Sequence, residues 1–398
     1  MTVLSNRVLE MKESATLAMA RQSRMLKEQG VDIISLSLGE PDFDTPDNIK
    51  RAAENALEHG DTKYTPVSGT KALRDAICRK LERENHVSYT AEQIVVSNGA
   101  KQSIANACMA LLNPGDEIIL PSPFWISYAA IAELAGAKVV EIKADVNEGF
   151  KVSAEKLEQH ITTKTKVILY SSPCNPTGAV FNKQELRAIA NLMLKHPNIH
   201  VISDEIYEHI NYLGEHYTIA QFEDVKDRVI IVNGFSKAYS MTGWRLGYMA
   251  ASKEIASACD KIQGQITSGA CSFNQTAAIE ALDGNQVEVE KMVDAFKRRR
   301  TLVINRLSKF EGVKCPSPDG AFYVFPDISC YFGKSYDGII IKNSEDFALF
   351  ILNKAHVATV GGESFGDGNC LRISFAASEE ALNEAFDRIE KAVAGLVG

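Results

Sequence analysis

One lysine stands apart in the stretch NGFSKAYSMTGWRLGY, which covers positions 233–248. Lys237 follows a short apolar run, and its neighbours are small or uncharged until Arg245, eight positions later. Lysines usually lie on solvated faces rich in charge, so this setting predicts an amine with a lowered pKa. A lysine amine can act as a nucleophile only in its neutral form. Lys237 is therefore the first candidate for chemistry.

A carboxylate and an amide lie at the ends of two other apolar runs. Asp204 closes the run in VISDEIY, where an ionised carboxylate needs a cationic partner or strong donors. It could cap a helix that follows the strand, or it could be a fixed anion that keeps a proton on a ligand nitrogen. Asn175 lies between Pro173 and Pro176 in SSPCNPTGAV. The prolines restrict its backbone and aim its amide, although a simple turn remains an alternative.

The stretch SNGAKQS (97–103) has the composition of a strand-to-helix turn. Free backbone N–H groups there could bind a phosphate, or the turn could be purely structural. The Walker A pattern, G-x-S-x-G, H-E-x-x-H and G-x-G-x-x-G do not occur. No metal site is predicted, because the histidines lack ligand spacing supported by cysteine. We interpret them as surface or core residues: His59, His86, His160, His196, His200, His209, His216 and His356.

Composition indicates an ordinary soluble globular protein rather than a nucleic-acid or membrane protein. The 398 residues are 45% hydrophobic and 24% charged, with a net charge of −8 of mixed sign along the chain. The basic run 297–300 is interpreted as one solvated helix face. The first 20 residues carry acids and no long apolar core, so neither a signal peptide nor a membrane span is expected. Eight cysteines without a C-x-x-C pair predict reduced thiols in a cytoplasmic protein.

Short apolar runs alternate with helical patterns through most of the chain. The runs are 94–100, 117–121, 137–143, 166–172, 199–207 and 229–235. This alternation predicts an α/β fold with a mainly parallel, doubly wound sheet. Ligands of such sheets gather at the carboxyl ends of the strands. The residues expected to meet there are Gly99, Trp125, Asn175, Asp204 and Lys237.

The last quarter of the chain has a different pattern. A long charged helix (288–309) precedes short strands at 321–326 and 370–376 and a final helix from 379. This order predicts a smaller α+β domain, to which the first 47 residues return because they contain no sheet of their own. We therefore predict a large cofactor-binding domain over 48–289 and a small domain formed by 1–47 and 290–398.

Together these stretches resemble the class I aminotransferases, the pyridoxal-phosphate enzymes of the aspartate aminotransferase fold (fold type I). The resemblance spans nearly the whole chain and is closest to the bacterial aspartate aminotransferase branch, some members of which also accept prephenate. It rests on motifs in a fixed order: LGEPDFDTP (38–46), YTPVSGTKALRDA (64–76), SNGAKQ (97–102), SPFWISY (122–128), NPTGAV (175–180), SDEIYEH (203–209), GFSKAYSMTGWRLGY (234–248) and LRISFA (371–376).

The resemblance implies pyridoxal 5'-phosphate as cofactor and a role for each matching residue. Lys237 would form the internal aldimine and later carry a proton as general base and acid. Asp204 would keep the pyridine nitrogen protonated, which makes the ring an electron sink. Asn175 and Tyr207 would donate hydrogen bonds to the ring oxygen, and Trp125 would lie against the ring face.

The phosphate end of the cofactor has its own implied set. Arg245 would grip the phosphate, assisted by the backbone of Gly99 and Ala100 and by neighbouring Lys101. Many relatives carry a serine where this chain has Gly234, so that contact is lost, and Ser236 could replace it. Tyr64 would reach the phosphate from a second subunit, which implies a homodimer with shared active sites.

The substrate is implied to be an amino acid and a 2-oxo acid with a distal carboxylate. Arg372 would hold the α-carboxylate bidentately beside the Gly39 backbone, with Trp125 and Asn175 also in contact. The stretch 263–273 has no arginine for the distal carboxylate, so Lys101, helped by Thr16, is the candidate. Lys12 matches a residue tied to prephenate recognition, although a solvated lysine is the alternative.

The predicted reaction is ping-pong transamination of L-aspartate with 2-oxoglutarate, giving oxaloacetate and L-glutamate, with prephenate as a further acceptor. Other chemistries on the same fold remain open, because fold does not fix the reaction. These are an aromatic or alanine aminotransferase and a carbon–sulfur lyase. A cofactor-binding regulator is disfavoured by the negative net charge and by the lack of a DNA-binding module ahead of LGEPDFD.

Overall fold

The computed structural model describes residues 4–11 and 15–398. The strands are β1 (Ile34–Ser35), β2 (Ile94–Ser97), β3 (Glu117–Ser122), β4 (Lys138–Lys143), β5 (Thr165–Ser171), β6 (His200–Asp204), β7 (Val229–Gly234), β8 (Gly247–Ala250), β9 (Tyr323–Val324), β10 (Ser335–Tyr336), β11 (Ile339–Ile340), β12 (Val357–Ala358), β13 (Val360–Gly361) and β14 (Leu371–Ser374). The α-helices are α1 (Asn6–Glu10), α2 (Ala15–Glu28), α3 (Asp47–Glu58), α4 (Lys71–Asn85), α5 (Ala100–Leu111), α6 (Ser127–Leu134), α7 (Ala154–Glu158), α8 (Lys183–Lys195), α9 (Lys253–Ile266), α10 (Ser272–Asp283), α11 (Val287–Leu307), α12 (Ser344–Phe350) and α13 (Glu379–Val393).

A seven-stranded sheet in the order β2-β8-β7-β6-β5-β3-β4 forms the centre of the molecule. All its neighbouring pairs are parallel except the two made by β8, which runs antiparallel between β2 and β7. The prediction of an α/β fold with a mainly parallel sheet is confirmed. The prediction omitted β8, because four buried residues in GYMA are too few to show a period.

Side chains of the central strands alternate between two cores, one on each face of the sheet. Val95, Val232 and Met249 pack on the face covered by α5 and α9. Their sequence neighbours, such as Val96 and Ile231, pack on the opposite face. Burial on both faces explains why these strands are continuous apolar runs rather than alternating patterns. The doubly wound arrangement predicted from those runs is confirmed.

Local capping fixes where the helices begin. The Asn182 side chain accepts hydrogen bonds from the backbone of Gln184 and Glu185, each at 2.9 Å. The Glu185 carboxylate in turn accepts from the Asn182 backbone at 2.7 Å, which completes a capping box. Helix α8 therefore begins directly after Asn182.

A smaller structural unit is built from the last quarter of the chain and the amino-terminal segment. Strands β13, β14 and β9 form an antiparallel sheet, and α12 continues as a π-helical turn over Ile351–Ala355. Strand β1 pairs in parallel with β12, and the backbone of Leu36 bridges Ala358 and Ser374. This pairing favours the prediction that residues 1–47 join the small domain, whose boundaries at 47/48 and 289/290 stay a prediction.

The basic run 297–300 on α11 corrects one interpretation. Arg299 is only 7% exposed and forms a bidentate ion pair with Asp42, with distances of 2.7 and 2.8 Å. Its guanidinium also lies 4.9 Å from the centre of the Phe43 ring. The run is therefore not one solvated face. Arg299 points inward and links α11 to the LGEPDFD segment through Asp42, while Arg298 remains largely exposed.

The remaining global expectations concern thiols and membranes. All eight cysteines are free; four are buried and four are half-buried. This agrees with the prediction of reduced thiols. Among residues 4–11 and 15–398, no helix combines the length and apolar character that crossing a membrane requires.

Candidate active site

A cavity of about 320 Å³ opens at the carboxyl ends of the central strands. Strands β3, β5, β6 and β7 end at one edge of the sheet, and the turns after them point their side chains into this cavity. The predicted residues that line it from this edge are Lys101, Trp125, Asn175, Asp204, Tyr207 and Lys237. The others that line it are Thr16, Gly39, Ala100, Ser236, Arg245 and Arg372.

Three predicted residues lie elsewhere. Gly99 precedes α5 with a φ of 83°, and a Cβ added there would collide with the Arg245 guanidinium. Its backbone therefore approaches Arg245 closely although it does not line the cavity. Tyr64 is fully exposed and does not line the cavity of its own chain. Lys12 falls outside the described residues.

Lys237 has the electrostatic setting that its sequence context predicts. Burial, together with the positive charges of Arg372 and Arg245, lowers the pKa of Lys237 to about 8, and the carboxylate of Glu40 opposes this shift. Its Nζ donates a hydrogen bond to the carbonyl oxygen of Gly39. Near neutral pH a useful fraction of this amine is neutral, the form that can attack a carbonyl carbon.

Asp204 is a buried carboxylate at the end of β6, only 4% exposed. Burial raises the pKa of Asp204, and hydrogen bonds from the Tyr128 hydroxyl (2.6 Å) and the Ile206 backbone N–H (3.2 Å) partly offset this rise. The resulting pKa of Asp204 is about 6. Within the described part of the chain, no lysine or arginine forms an ion pair with it. The helix-cap alternative is wrong, because residues 206–209 form a turn and no helix directly follows β6.

Arg372 brings a buried cation into the same cavity. It is 2% exposed, and its guanidinium donates to Asn175 Oδ1 at 3.1 Å, to the Ser37 carbonyl oxygen and to Thr16 Oγ1 at 3.4 Å. All three acceptors are neutral, and its Nε has no partner among the described atoms. A buried guanidinium with neutral partners is suited to a carboxylate that arrives with a ligand.

Two tyrosines that the sequence reasoning missed complete the site. Tyr128 bonds Asp204 and packs edge-to-face on Trp125, with ring centres 5.5 Å apart. It follows Trp125 by only three residues, and its backbone N–H donates to the Trp125 carbonyl oxygen at 2.9 Å, so this closeness along the chain could have revealed it. Tyr323 shares a hydroxyl–hydroxyl hydrogen bond of 2.8 Å with Tyr207. No sequence signal reveals Tyr323, because 116 positions separate the pair.

Gly234 is explained by the way β7 meets β8. A Cβ added at Gly234 would lie 2.8 Å from the Gly247 Cα and 2.9 Å from the Leu246 carbonyl oxygen. Since both neighbours are backbone atoms, a serine at this position would force the two strands apart. Ser236, two residues on, is 8% exposed and lines the cavity.

Two groups of acidic and histidine side chains lie outside the cavity. One contains Glu205, Glu208 and His216, and the other contains Glu84, Glu208 and His209. The buried Lys80 donates to Glu208, and His216 lies 3.0 Å from Glu205. These carboxylates therefore already have cationic or hydrogen-bonding partners from the chain itself.

The cavity residues fit a particular kind of ligand. Asp204 suits a protonated ring nitrogen, because no lysine or arginine in residues 4–11 and 15–398 forms an ion pair with this buried carboxylate. Lys237 suits a carbonyl group, because its pKa is lowered. Arg245 and the amino-terminal end of α5 suit a phosphate. Arg372 suits a carboxylate, so one cavity combines the features of a phosphorylated pyridine aldehyde site with those of an amino-acid site.

Comparison with known proteins decides the family. The model for aminotransferase class I and II matches residues 31–389. The chain belongs to this family. It is therefore an aminotransferase, and the match covers every cavity residue named above except Thr16.

Individual relatives of this aminotransferase match along its full length. It is 46% identical to the aspartate/prephenate aminotransferase of Cereibacter sphaeroides, with 100% of both chains covered. It is 47% identical to a bifunctional aspartate and glutamate/aspartate-prephenate aminotransferase of Petunia hybrida, covering 98% of this chain and 82% of the relative.

Solved structures show the same aminotransferase fold. The aspartate aminotransferase of Rhizobium meliloti superposes with a TM-score of 0.96 at 41% identity over 100% of both chains. That of Thermus thermophilus, solved with maleate, gives a TM-score of 0.92 at 40% identity, covering 98% of this chain and 100% of the other. The fold-type prediction is confirmed by these superpositions.

Proposed function

We propose that this aminotransferase binds pyridoxal 5'-phosphate and transfers the amino group of L-aspartate to 2-oxoglutarate, giving oxaloacetate and L-glutamate. One observation carries the proposal: Lys237, Asp204 and Arg372 line a single cavity, which combines a lysine of lowered pKa, a buried carboxylate and a buried guanidinium. Relatives named as aspartate aminotransferases support the choice of substrate.

The chain's own residues would divide the work as follows. When bound, pyridoxal phosphate supplies an aldehyde that takes the amino group and a protonated ring that withdraws electrons from the substrate α-carbon. Asp204 would hold a proton at the ring nitrogen, and Asn175 and Tyr207 would donate to the ring oxygen. Lys237 would attach the cofactor, and its amine would move a proton to and from the substrate α-carbon.

The phosphate would be held at the other end of the cavity. Arg245 offers a fork of donors, and Ala100 at the start of α5 offers backbone N–H groups beside the positive end of the helix dipole. Ser236 adds a hydroxyl. Trp125 also lines the cavity, and the Nζ of Lys101 lies 4.7 Å from the centre of its ring.

A dicarboxylic substrate follows from two cations in the cavity. Arg372 takes the α-carboxylate next to Gly39. Lys101, helped by Thr16, takes the distal carboxylate. Burial and the charge of Arg245 lower the pKa of Lys101, and a bound carboxylate would oppose that shift and favour the cation. We extend the acceptors to prephenate, as the names of relatives suggest, and assign its recognition partly to Lys12.

We also propose that two copies share their active sites in a cytoplasmic homodimer. Tyr64 is fully exposed in its own chain, which leaves its hydroxyl available to a neighbouring cavity. Mixing Tyr64→Phe and Lys237→Ala chains tests this proposal. Hybrids should regain one site free of both substitutions, and activity equal to the average of the two parents would contradict shared sites.

A substrate panel tests the proposed reaction. The wild-type protein loaded with pyridoxal phosphate should transfer the amino group of aspartate to 2-oxoglutarate faster than that of tyrosine or alanine, and should not cleave cystathionine. Lys237→Ala should abolish turnover. Preference for tyrosine or alanine, or carbon–sulfur cleavage, would instead establish the alternative chemistries on this fold. A uniform effect of Lys12→Ala on oxaloacetate, 2-oxoglutarate and prephenate would remove its assigned role in acceptor choice.

A further inference from the structure

We propose that Tyr323 is a positioning residue that joins the carboxylate-binding Arg372 to the Tyr207 phenol. The inference rests on the proposed function and deepens it. Tyr323 lies on β9 in the small structural unit and is 0% exposed. Its hydroxyl oxygen is 2.8 Å from that of Tyr207, and its ring centre is 4.9 Å from the Arg372 guanidinium carbon.

The proposed role of Tyr207 fixes the direction of the tyrosine–tyrosine hydrogen bond. A phenol has one proton to donate and lone pairs that accept. If Tyr207 donates into the cavity toward the cofactor, its oxygen must accept from Tyr323. Donation by Tyr323 polarises Tyr207 and strengthens its own outgoing hydrogen bond. Tyr323 also lines the cavity, and its effect on the cofactor is transmitted through Tyr207.

The ring of Tyr323 has a separate contact with Arg372. The Arg372 guanidinium is flanked by two aromatic rings, that of Tyr323 and that of Phe365, whose centres are 4.9 and 4.8 Å away. Such contacts orient a guanidinium and partly offset the cost of its burial. The two ends of one side chain thus serve different ligands: the ring serves the substrate carboxylate, and the hydroxyl serves the cofactor.

Gly39 packs against the Tyr323 hydroxyl, in addition to the contacts that Tyr323 makes with Tyr207 and Arg372. A Cβ added at Gly39 would collide with the Tyr323 hydroxyl oxygen. The carbonyl oxygen of Gly39 accepts the hydrogen bond of Lys237. The hydroxyl of Tyr323 is therefore packed between the backbone that contacts Lys237 and the phenol of Tyr207, so its position is closely restricted.

Tyr323→Phe removes the hydroxyl and keeps the ring, which separates the two contacts. In holoenzyme titrated with acid, the pH midpoint of the visible absorbance change of bound pyridoxal phosphate should rise by roughly 0.4–1 pH unit, because Tyr207 becomes a weaker donor to the ring oxygen. The kcat for aspartate should fall about threefold to tenfold, with KM within about twofold. Tyr331→Phe is the control, since Tyr331 is a buried tyrosine stacked on Phe347, outside the cavity.

A double variant tests whether Tyr323 acts through Tyr207. In a Tyr207→Phe background, Tyr323→Phe should add no further shift in the absorbance midpoint, because the intermediary phenol is gone. An unchanged midpoint in the single variant, or an equal shift in both backgrounds, would overturn the proposal. The absorbance titration needs no substrate, so it gives an answer even if the panel shows that the amino donor is not aspartate.

Discussion

Tyr128 donates a hydrogen bond of 2.6 Å to Asp204 Oδ2 in the interior of the protein. Burial alone favours the neutral form of a carboxyl group, and this hydrogen bond favours the ionised form. The outcome is a pKa of about 6 for Asp204, so the carboxylate is mostly ionised at neutral pH before any ligand arrives. Tyr128 thereby prepares Asp204 to receive a protonated ring nitrogen.

Replacing Tyr128 with phenylalanine should weaken cofactor binding in a pH-dependent way. Without the hydroxyl, the pKa of Asp204 rises above about 6, and the anion that binds the ring nitrogen is lost at a higher pH. We expect pyridoxal phosphate affinity to fall about threefold to tenfold at pH 7 and to recover at higher pH. Equilibrium dialysis across pH 5.5–8.5 measures this effect. Tyr89→Phe, at a buried tyrosine whose hydroxyl has no described partner, should leave the profile unchanged.

Glu40→Gln should make Lys237 a better nucleophile at neutral pH. The Glu40 carboxylate raises the pKa of Lys237 against the effect of burial, so its removal should move that pKa below about 8. The neutral fraction at pH 7 then increases, and cofactor attachment should be faster. The rate of absorbance change when apoenzyme is mixed with pyridoxal phosphate at several pH values measures this. Thr242→Val is the control, because it removes the hydrogen bond to Glu40 and keeps the Glu40 charge. If the pH midpoint of the attachment rate moved upward in Glu40→Gln, the effect assigned to the Glu40 charge would be wrong.

Arg372→Lys should act on substrate binding rather than on folding. A lysine cannot reproduce a bidentate grip on a carboxylate, so KM for aspartate should rise about 10-fold to 100-fold. Arg299→Lys is the matched control, because Arg299 is also buried and bidentate but pairs with Asp42 outside the cavity. It should lower the melting temperature and leave KM within about twofold. Steady-state kinetics and thermal unfolding, run on both variants, separate the two roles; a raised KM in Arg299→Lys alone would reverse them.

Gly234→Ser should destabilise the protein without improving cofactor binding. The added Cβ meets backbone atoms of Gly247 and Leu246, which cannot move as a side chain can. We expect a loss of about 1–3 kcal/mol in the free energy of unfolding, seen as a lower melting temperature of the apoenzyme. Ser236→Gly should do the opposite, with weaker pyridoxal phosphate binding and nearly unchanged stability. If Gly234→Ser bound pyridoxal phosphate more tightly, the glycine would only remove a serine–phosphate contact, and the backbone explanation would be wrong.

The parts of the site that depend on strand ends were predictable from the sequence. Asn175, Asp204 and Lys237 each follow a recognisable apolar run, and parallel strands bring such positions to one edge of the sheet. Lys237 could be singled out because its uncharged surroundings were visible along the chain. These elements are local, so their chemistry is present in short stretches of sequence.

Contacts between distant segments were beyond the reach of pattern alone. Arg372 meets Asn175 across 197 positions, and Tyr323 meets Tyr207 across 116. The burial of Arg299 was hidden inside a run of four basic residues, because its partner Asp42 lies 257 positions away. Strand β8 was missed because its four residues carry no period of their own.

The main-chain carbonyls of Ser37 and Gly39 accept hydrogen bonds from Arg372 and Lys237. Both oxygens belong to one short segment after β1, so the protein solvates its two key cations with its own backbone. A ligand that binds Arg372 or Lys237 must replace these carbonyl oxygens as the hydrogen-bond acceptor. The measured affinity of the ligand therefore reports the difference between its own hydrogen bonds and those of the backbone. A carboxylate outcompetes a neutral carbonyl for a guanidinium far more than a neutral ligand would. The backbone after β1 thus competes with ligands for Arg372 and Lys237, and this competition lowers the affinity of uncharged molecules more than that of carboxylates.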